Sequence, residues 1–152
     1  MQQERNKKIA AVFWILSAIC MAVIFWLSSR TADESKEQSA FFLNLLTKLF
    51  GDGAFTDFIV RKLAHCLEFT GTCLLLSAAL YFTRDMSLVP FSVAIASCYA
   101  VTDEIHQLFV EGRSCEFRDW FIDTAGACAG LLLFLIIRRI VIKVKTKGLT
   151  EK

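Results

Sequence analysis

Much of what marks a soluble enzyme or a nucleic-acid binder is missing from this chain of 152 residues. There is no CxxC pair among the six cysteines, so neither a zinc ribbon nor a thioredoxin-like site has support. No HExxH and no Gly-x-Ser-x-Gly occurs, which removes the usual signatures of a zinc protease or a serine hydrolase. The formal net charge is only +2, which gives no broad basic field to hold nucleic acid. Internal repeats and low-complexity tracts are also lacking, and there is a single proline, Pro90.

Apolar residues are plentiful. They make up 55% of the chain, with fourteen Phe, more than a soluble core of this size needs. They come in long blocks, the pattern of a chain that meets lipid. Cys20, Cys66, Cys73, Cys98 and Cys128 fall in or at the edge of such blocks, and only Cys115 stands in a hydrophilic loop. That placement reads as small apolar side chains rather than a disulfide framework.

The blocks predict an all-α membrane protein, a bundle of four transmembrane helices at about 9–27, 62–82, 88–109 and 119–140. The first follows the basic Arg5, Lys7 and Lys8; it is longer than a signal-peptide core, and no small-x-small cleavage pattern follows it. Pro90 falls in the first turn of the third, where a missing N–H costs little. Arg5, Lys7 and Lys8 at one end, and Arg138, Arg139, Lys143, Lys145 and Lys147 at the other, predict a multi-pass protein of the cell membrane with both termini cytoplasmic. A stretch at about 35–50 places Asn44, Thr47 and Lys48 on one helical face, predicting a short amphipathic helix on the outer leaflet that ends at Gly51-Asp52-Gly53. The whole of 1–152 reads as a single membrane domain.

With this topology the intramembrane polar residues gather on the outer side. Arg61, His65 and Glu68 share a face by i, i+4, i+7 spacing, as do Asp103, His106 and Gln107. Asp119 and Asp123 lie one turn apart at the start of the fourth helix, and Arg113 stands in the loop before it. Each has a structural explanation: carboxylates at a helix N-terminus and His106 near a C-terminus suit the dipole, and Arg61 and Lys62 can snorkel to headgroups. Yet Arg61 and Lys62 stand at the wrong helix end for the dipole, and are tolerable if Asp103, Glu104, Asp119 or Asp123 lies opposite. Intramembrane ionisable groups that cluster in this way point to a functional site. Gly126 and Gly130 form a GxxxG just below Asp123, which would draw the carboxylates toward the second and third helices.

At these residues the sequence resembles the VanZ-like family. The resemblance is carried by Arg61-Lys62-Leu63-Ala64-His65 with Glu68-Phe69, by Thr102-Asp103-Glu104-Ile105-His106-Gln107-Leu108-Phe109, by Gly112-Arg113-Ser114, and by Asp119 and Asp123 through Gly126 and Gly130. The chain departs from the common pattern at Phe69, where Tyr is usual, at Glu111, where Pro is usual, and at Asp123, often Asn. The resemblance implies an envelope protein associated with lowered susceptibility to teicoplanin-type glycopeptides, and supplies no molecular activity.

Two mechanisms then compete. In the first, an outward-facing pocket binds a membrane lipid or a lipid-linked cell-wall precursor through Arg61, Lys62 and Arg113, with Glu104, Gln107, Asp119 and Asp123 completing it. In the second, His65 or His106 works as acid or base on a lipid-linked substrate, oriented by Glu68, Asp103 or Asp119. A metal held by His65, Glu68, Asp103, His106 and Asp123 ranks below both, so the expectation is no metal and no cofactor, and the oligomeric state stays open. No nucleophile stands out in the sequence.

Overall fold

The computed structural model describes residues 2–51 and 53–150, without the side chains of residues 2, 5 and 148–150. The expected roles of Asp52 in a helix stop and of the Arg5 side chain in a basic end lie outside the described residues. Among those residues the chain is helical throughout, with no strand: α1 (Gln2–Ser28), α2 (Ala32–Phe50), α3 (Asp57–Arg84), α4 (Phe91–Gln107) and α5 (Phe117–Thr150). A 3₁₀ turn, Asp85–Ser87, follows α3. Asn6–Ser28, Asp57–Ser87 and Phe117–Lys147 are each long and apolar enough to cross a bilayer, which makes this a membrane protein.

The boundaries reflect local chemistry. Thr31 builds a capping box at the start of α2: Glu34 N donates to Thr31 Oγ1 at 3.3 Å, and Thr31 N donates to Glu34 Oε2 at 2.9 Å. That cap starts the helix at 32, ahead of the expected 35. At its far end Gly51 adopts φ +88°, and its N–H donates to Thr47 O at 2.9 Å. Thr56 caps α3 by accepting from Ile59 N at 3.3 Å, so that helix begins at Asp57, five residues before the apolar block suggests. Pro90 is the N-cap of α4, which shortens the expected 88–109 to 17 residues. Helix α5 runs ten residues past the expected 140, through Lys143, Lys145 and Lys147, because lysine is a good helix former.

Helix α3 is the hub, packing on α1, α2, α4 and α5. At one end Trp14 Nε1 donates to Thr83 Oγ1 at 3.1 Å and Phe13 stacks on Phe82. At the other, Ser28 Oγ donates to Asp103 Oδ2 at 2.9 Å and Lys62 pairs with Asp119. Helix α1 therefore runs antiparallel to α3, and α3 runs parallel to α5. The core between them is built of Ile24, Phe69, Cys73, Leu76 and small alanines such as Ala96 and Ala100. Trp120 Nε1 donates to Ser97 Oγ at 3.1 Å, joining α5 to α4. Large residues such as Ile15, Ile19, Ile136 and Ile140 point outward, as they do when lipid replaces water.

A glycine seam brings the backbones of α3 and α5 into close contact. A Cβ on Gly126 would collide with the Cys66 carbonyl oxygen, and one on Gly130 with that of Thr70. Thr70 Oγ1 spans the seam, 2.7 Å from Cys66 O and 2.9 Å from Gly126 O. The GxxxG is thus a backbone-to-backbone interface rather than a lipid-facing stripe. Either Gly126→Ala or Gly130→Ala should lower the melting temperature of the purified protein in detergent, overpacking costing about 1–3 kcal/mol. Ala129→Val, at an exposed position on the same helix, should leave it nearly unchanged. Equal melting of all four proteins would show that the helices do not meet here.

Candidate functional site

Most of the polar residues singled out from the sequence lie at the bundle end where α1 finishes and α3 begins. The loop between α4 and α5 folds back over that end because Gly112 takes φ +74°, a conformation in which only glycine is unstrained. The turn is tight, since a Cβ there would lie 3.0 Å from Ala32 Cβ. It is pinned by Ala32 N donating to Glu111 O at 3.2 Å, and Arg113 Nε donates to Arg30 O at 3.2 Å. The Gly-Arg dipeptide therefore turns a guanidinium back toward the start of α3.

Arg61, His65 and Glu68, one face of α3, line a cavity of about 640 Å³ together with Arg113. Leu27 and Val60 supply apolar wall, α2 adds Phe41 and Phe42, and Ser35, Gln38 and Ser39 add hydrogen-bonding groups. Ser39 donates to the Asp57 carboxylate, which also pairs with Arg61 at 3.3 Å and so ties α2 to α3. Arg113 has no carboxylate partner among the described residues. Burial first, and the nearby Arg61 second, pull its pKa below the usual arginine value. Such a group gains from an anion.

Behind the cavity lies a second layer, more deeply buried. Asp123 is fully buried and accepts no hydrogen bond from any described group. His65 Nδ1 is 4.0 Å from Asp123 Oδ1 and 3.8 Å from Glu68 Oε2. Asp103 Oδ2 accepts from Ser28 at 2.9 Å and from Gln107 Nε2 at 3.0 Å, while its Oδ1 is unpartnered. Glu104 Oε2 accepts from the backbone N of Glu116 at 2.8 Å, just ahead of α5. Lys62 Nζ lies 2.5 Å from both carboxylate oxygens of Asp119, in a partly buried bridge from α3 to α5.

The structure thus brings together eight of the predicted residues in two groupings: Arg61, His65, Glu68 and Arg113 at the cavity with Asp123 behind, and Lys62, Asp119 and Glu104 where α5 begins. Asp103 and Gln107 form a buried link to α1 rather than cavity wall. His106 stands apart, stacked on Phe25 at 4.2 Å with Nε2 3.0 Å from Ser29 Oγ. Phe69 is a core residue with no exposure. Among the described residues no three His, Cys, Asp or Glu side chains converge to hold a metal ion. The six cysteines are free thiols, Cys98 and Cys128 among those on the exposed surface. Sequence reasoning missed Asp57, whose i, i+4 spacing to Arg61 was a usable signal, and Ser35, Gln38 and Ser39, whose neutral side chains gave none.

A model of the VanZ/LLP1 family matches residues 13–138. No curated protein and no solved structure matches.

The Lys62–Asp119 bridge is directly testable. Lys62→Ala and Asp119→Ala should each lower thermal stability in detergent, and the double variant should lose less than the sum by about 1–2 kcal/mol, as for contacting charges. Additive losses would mean that the two groups do not meet.

Proposed function

The chain belongs to the VanZ/LLP1 family, and from that premise we infer that it is a non-enzymatic envelope protein whose cavity binds a phosphate-bearing lipid or lipid-linked wall precursor at the outer leaflet. The observation that carries this reading is the pair of guanidinium groups, Arg61 and Arg113, lining one amphipathic cavity, with Arg113 lacking any carboxylate partner among the described residues. Planar guanidinium matches phosphate bidentately, and walls such as Phe41 and Phe42 suit an attached hydrocarbon chain. Capture of such a molecule where glycopeptides meet their targets would account for lowered susceptibility to teicoplanin-type antibiotics.

In this reading α4 also crosses the membrane, as the third of four spans. Its 17 residues extend about 26 Å, close to the roughly 30 Å of hydrocarbon, and Phe91, Val101 and Ile105 face outward from it. Four spans put both termini on one side, and the basic residues at each end favour the cytoplasm. Helix α2 then rests on the outer leaflet, with Phe41, Phe42, Leu45 and Leu49 exposed toward lipid.

A second reading is favoured by one observation: the His65, Glu68 and Asp123 constellation places an imidazole nitrogen about hydrogen-bonding reach plus an ångström from two carboxylates. It makes the same pocket an acid–base site. Teicoplanin susceptibility of cells producing single variants separates the two, with membrane levels checked by blot. For the binding reading, Arg113→Lys should weaken capture about tenfold and reduce protection, hydrogen bonds to charged groups contributing roughly 1.5–3 kcal/mol. His65→Gln should leave protection nearly intact. Loss of protection in His65→Gln at normal membrane level, with precursor binding retained, would transfer the preference to chemistry.

A further inference from the structure

A second cavity, larger than the one lined by Arg61 and Arg113, lies at the other end of the bundle and plays no part in the site above. It measures about 930 Å³ and opens between α1, α3 and α5, near the 3₁₀ turn. Its deeper wall is apolar, formed by residues such as Phe13, Leu74, Phe82 and Phe134. Among the described residues four cations line it: Lys7 from α1, Arg84 from the last turn of α3, and Arg138 and Lys145, two turns apart on α5. None of the four forms an ion pair among the described residues. Among the described residues the one carboxylate on the rim, Asp85, accepts from Ser87 N at 2.8 Å.

Arg138 is the most constrained of the four. Its guanidinium carbon sits 5.3 Å from the centroid of the Tyr81 ring, a cation–π distance. Its Nε is buried and has no hydrogen-bond acceptor among the described groups. Burying such a donor is unfavourable unless something accepts from it. Lys7 and Arg84 lie near the ends of their apolar segments, Asn6–Ser28 and Asp57–Ser87, at the depth where headgroups begin.

We propose that this cleft is a second lipid site, which holds an anionic phospholipid with its phosphate among Lys7, Arg84, Arg138 and Lys145 and its acyl chains against the apolar wall. Charge complementarity selects the class. A zwitterionic lipid brings its own cation to a rim already holding four, whereas a singly or doubly anionic lipid offsets it. Free phosphate would satisfy the cations and leave the apolar wall uncovered. The volume lies in the range of sites that enclose small molecules. The site is independent of the cavity lined by Arg61 and Arg113, and neither stands or falls with the other.

The full chain in detergent, incubated with phosphatidylglycerol and examined by native mass spectrometry, tests this. The wild type should retain the lipid, with an apparent affinity that Arg84→Ser/Lys145→Ser weakens about thirtyfold, each basic residue near a headgroup contributing about fivefold. Both positions are exposed, so folding should survive. Lys7→Gln/Lys145→Gln is a second variant if it does not. Phosphatidylcholine should bind at least tenfold more weakly, and inorganic phosphate should not compete at millimolar concentration. Arg61→Ser/Arg113→Ser should keep the lipid held at this cleft. Equal binding by wild type and both cleft variants would overturn the proposal, as would equal retention of phosphatidylcholine. Full displacement by phosphate would make the cleft an anion site rather than a lipid site, which also overturns it.

Discussion

The close approach of α3 and α5 at Gly126 and Gly130 is the constraint on which the rest depends. Side chains normally hold helix axes 8–10 Å apart, and here two missing Cβ atoms let one helix backbone rest on the carbonyls of the other. Lipid offers no hydrophobic drive for helices to associate, so the contact rests on packing and on the Thr70 hydroxyl that bridges it. Immediately beyond the seam on α5 come Asp123 and then Asp119. The seam fixes their depth and direction, and that is why Lys62 finds Asp119 and His65 comes near Asp123.

Burying so many charges is costly, and the way they are distributed reduces the cost. The Lys62–Asp119 bridge is nearly saturated, and Glu104 is anchored by the backbone N of Glu116 ahead of α5. Arg61 is shared with Asp57, which Ser39 also reaches. At this end Arg113, on the cavity side, is without a carboxylate partner among the described residues, and behind it both oxygens of Asp123, with Asp103 Oδ1, Glu104 Oε1 and His65 Nδ1, make no hydrogen bond there. Native structures seldom leave buried polar groups without partners, and those that do so tend to be where function resides. The opposite end repeats the pattern with one sign of charge, in the four cations around the α1–α3–α5 cleft.

The helical class, the long apolar segments and the polar cluster were legible because hydrophobic block length and i, i+4 spacing are local properties. Helix ends were less so. Thr31 and Thr56 start α2 and α3 ahead of the apolar blocks, and caps are visible only to a reader who looks for Thr rather than hydropathy. The grouping of the cluster was partly legible: Arg61, His65 and Glu68 do share a cavity, but Asp103 turns inward to accept from Ser28 and Gln107, while His106 turns to Ser29 and Phe25. All three lie on one face by spacing, and a rotation of a fraction of a turn decides which neighbour each meets. The lower cleft needed three helices at once, which is not local in sequence.

The central claim is that the end of the bundle bearing Arg61 and Arg113 opens outside the cell, and cysteine accessibility in intact cells tests it most directly. In a background lacking Cys115, a membrane-impermeant maleimide should label Lys36→Cys and Glu116→Cys, at either side of the cavity end. Lys145→Cys, beside the opposite cleft, should be labelled only after the membrane is permeabilised. Labelling of Lys145→Cys in intact cells, with positions 36 and 116 protected, would invert the molecule and contradict the account.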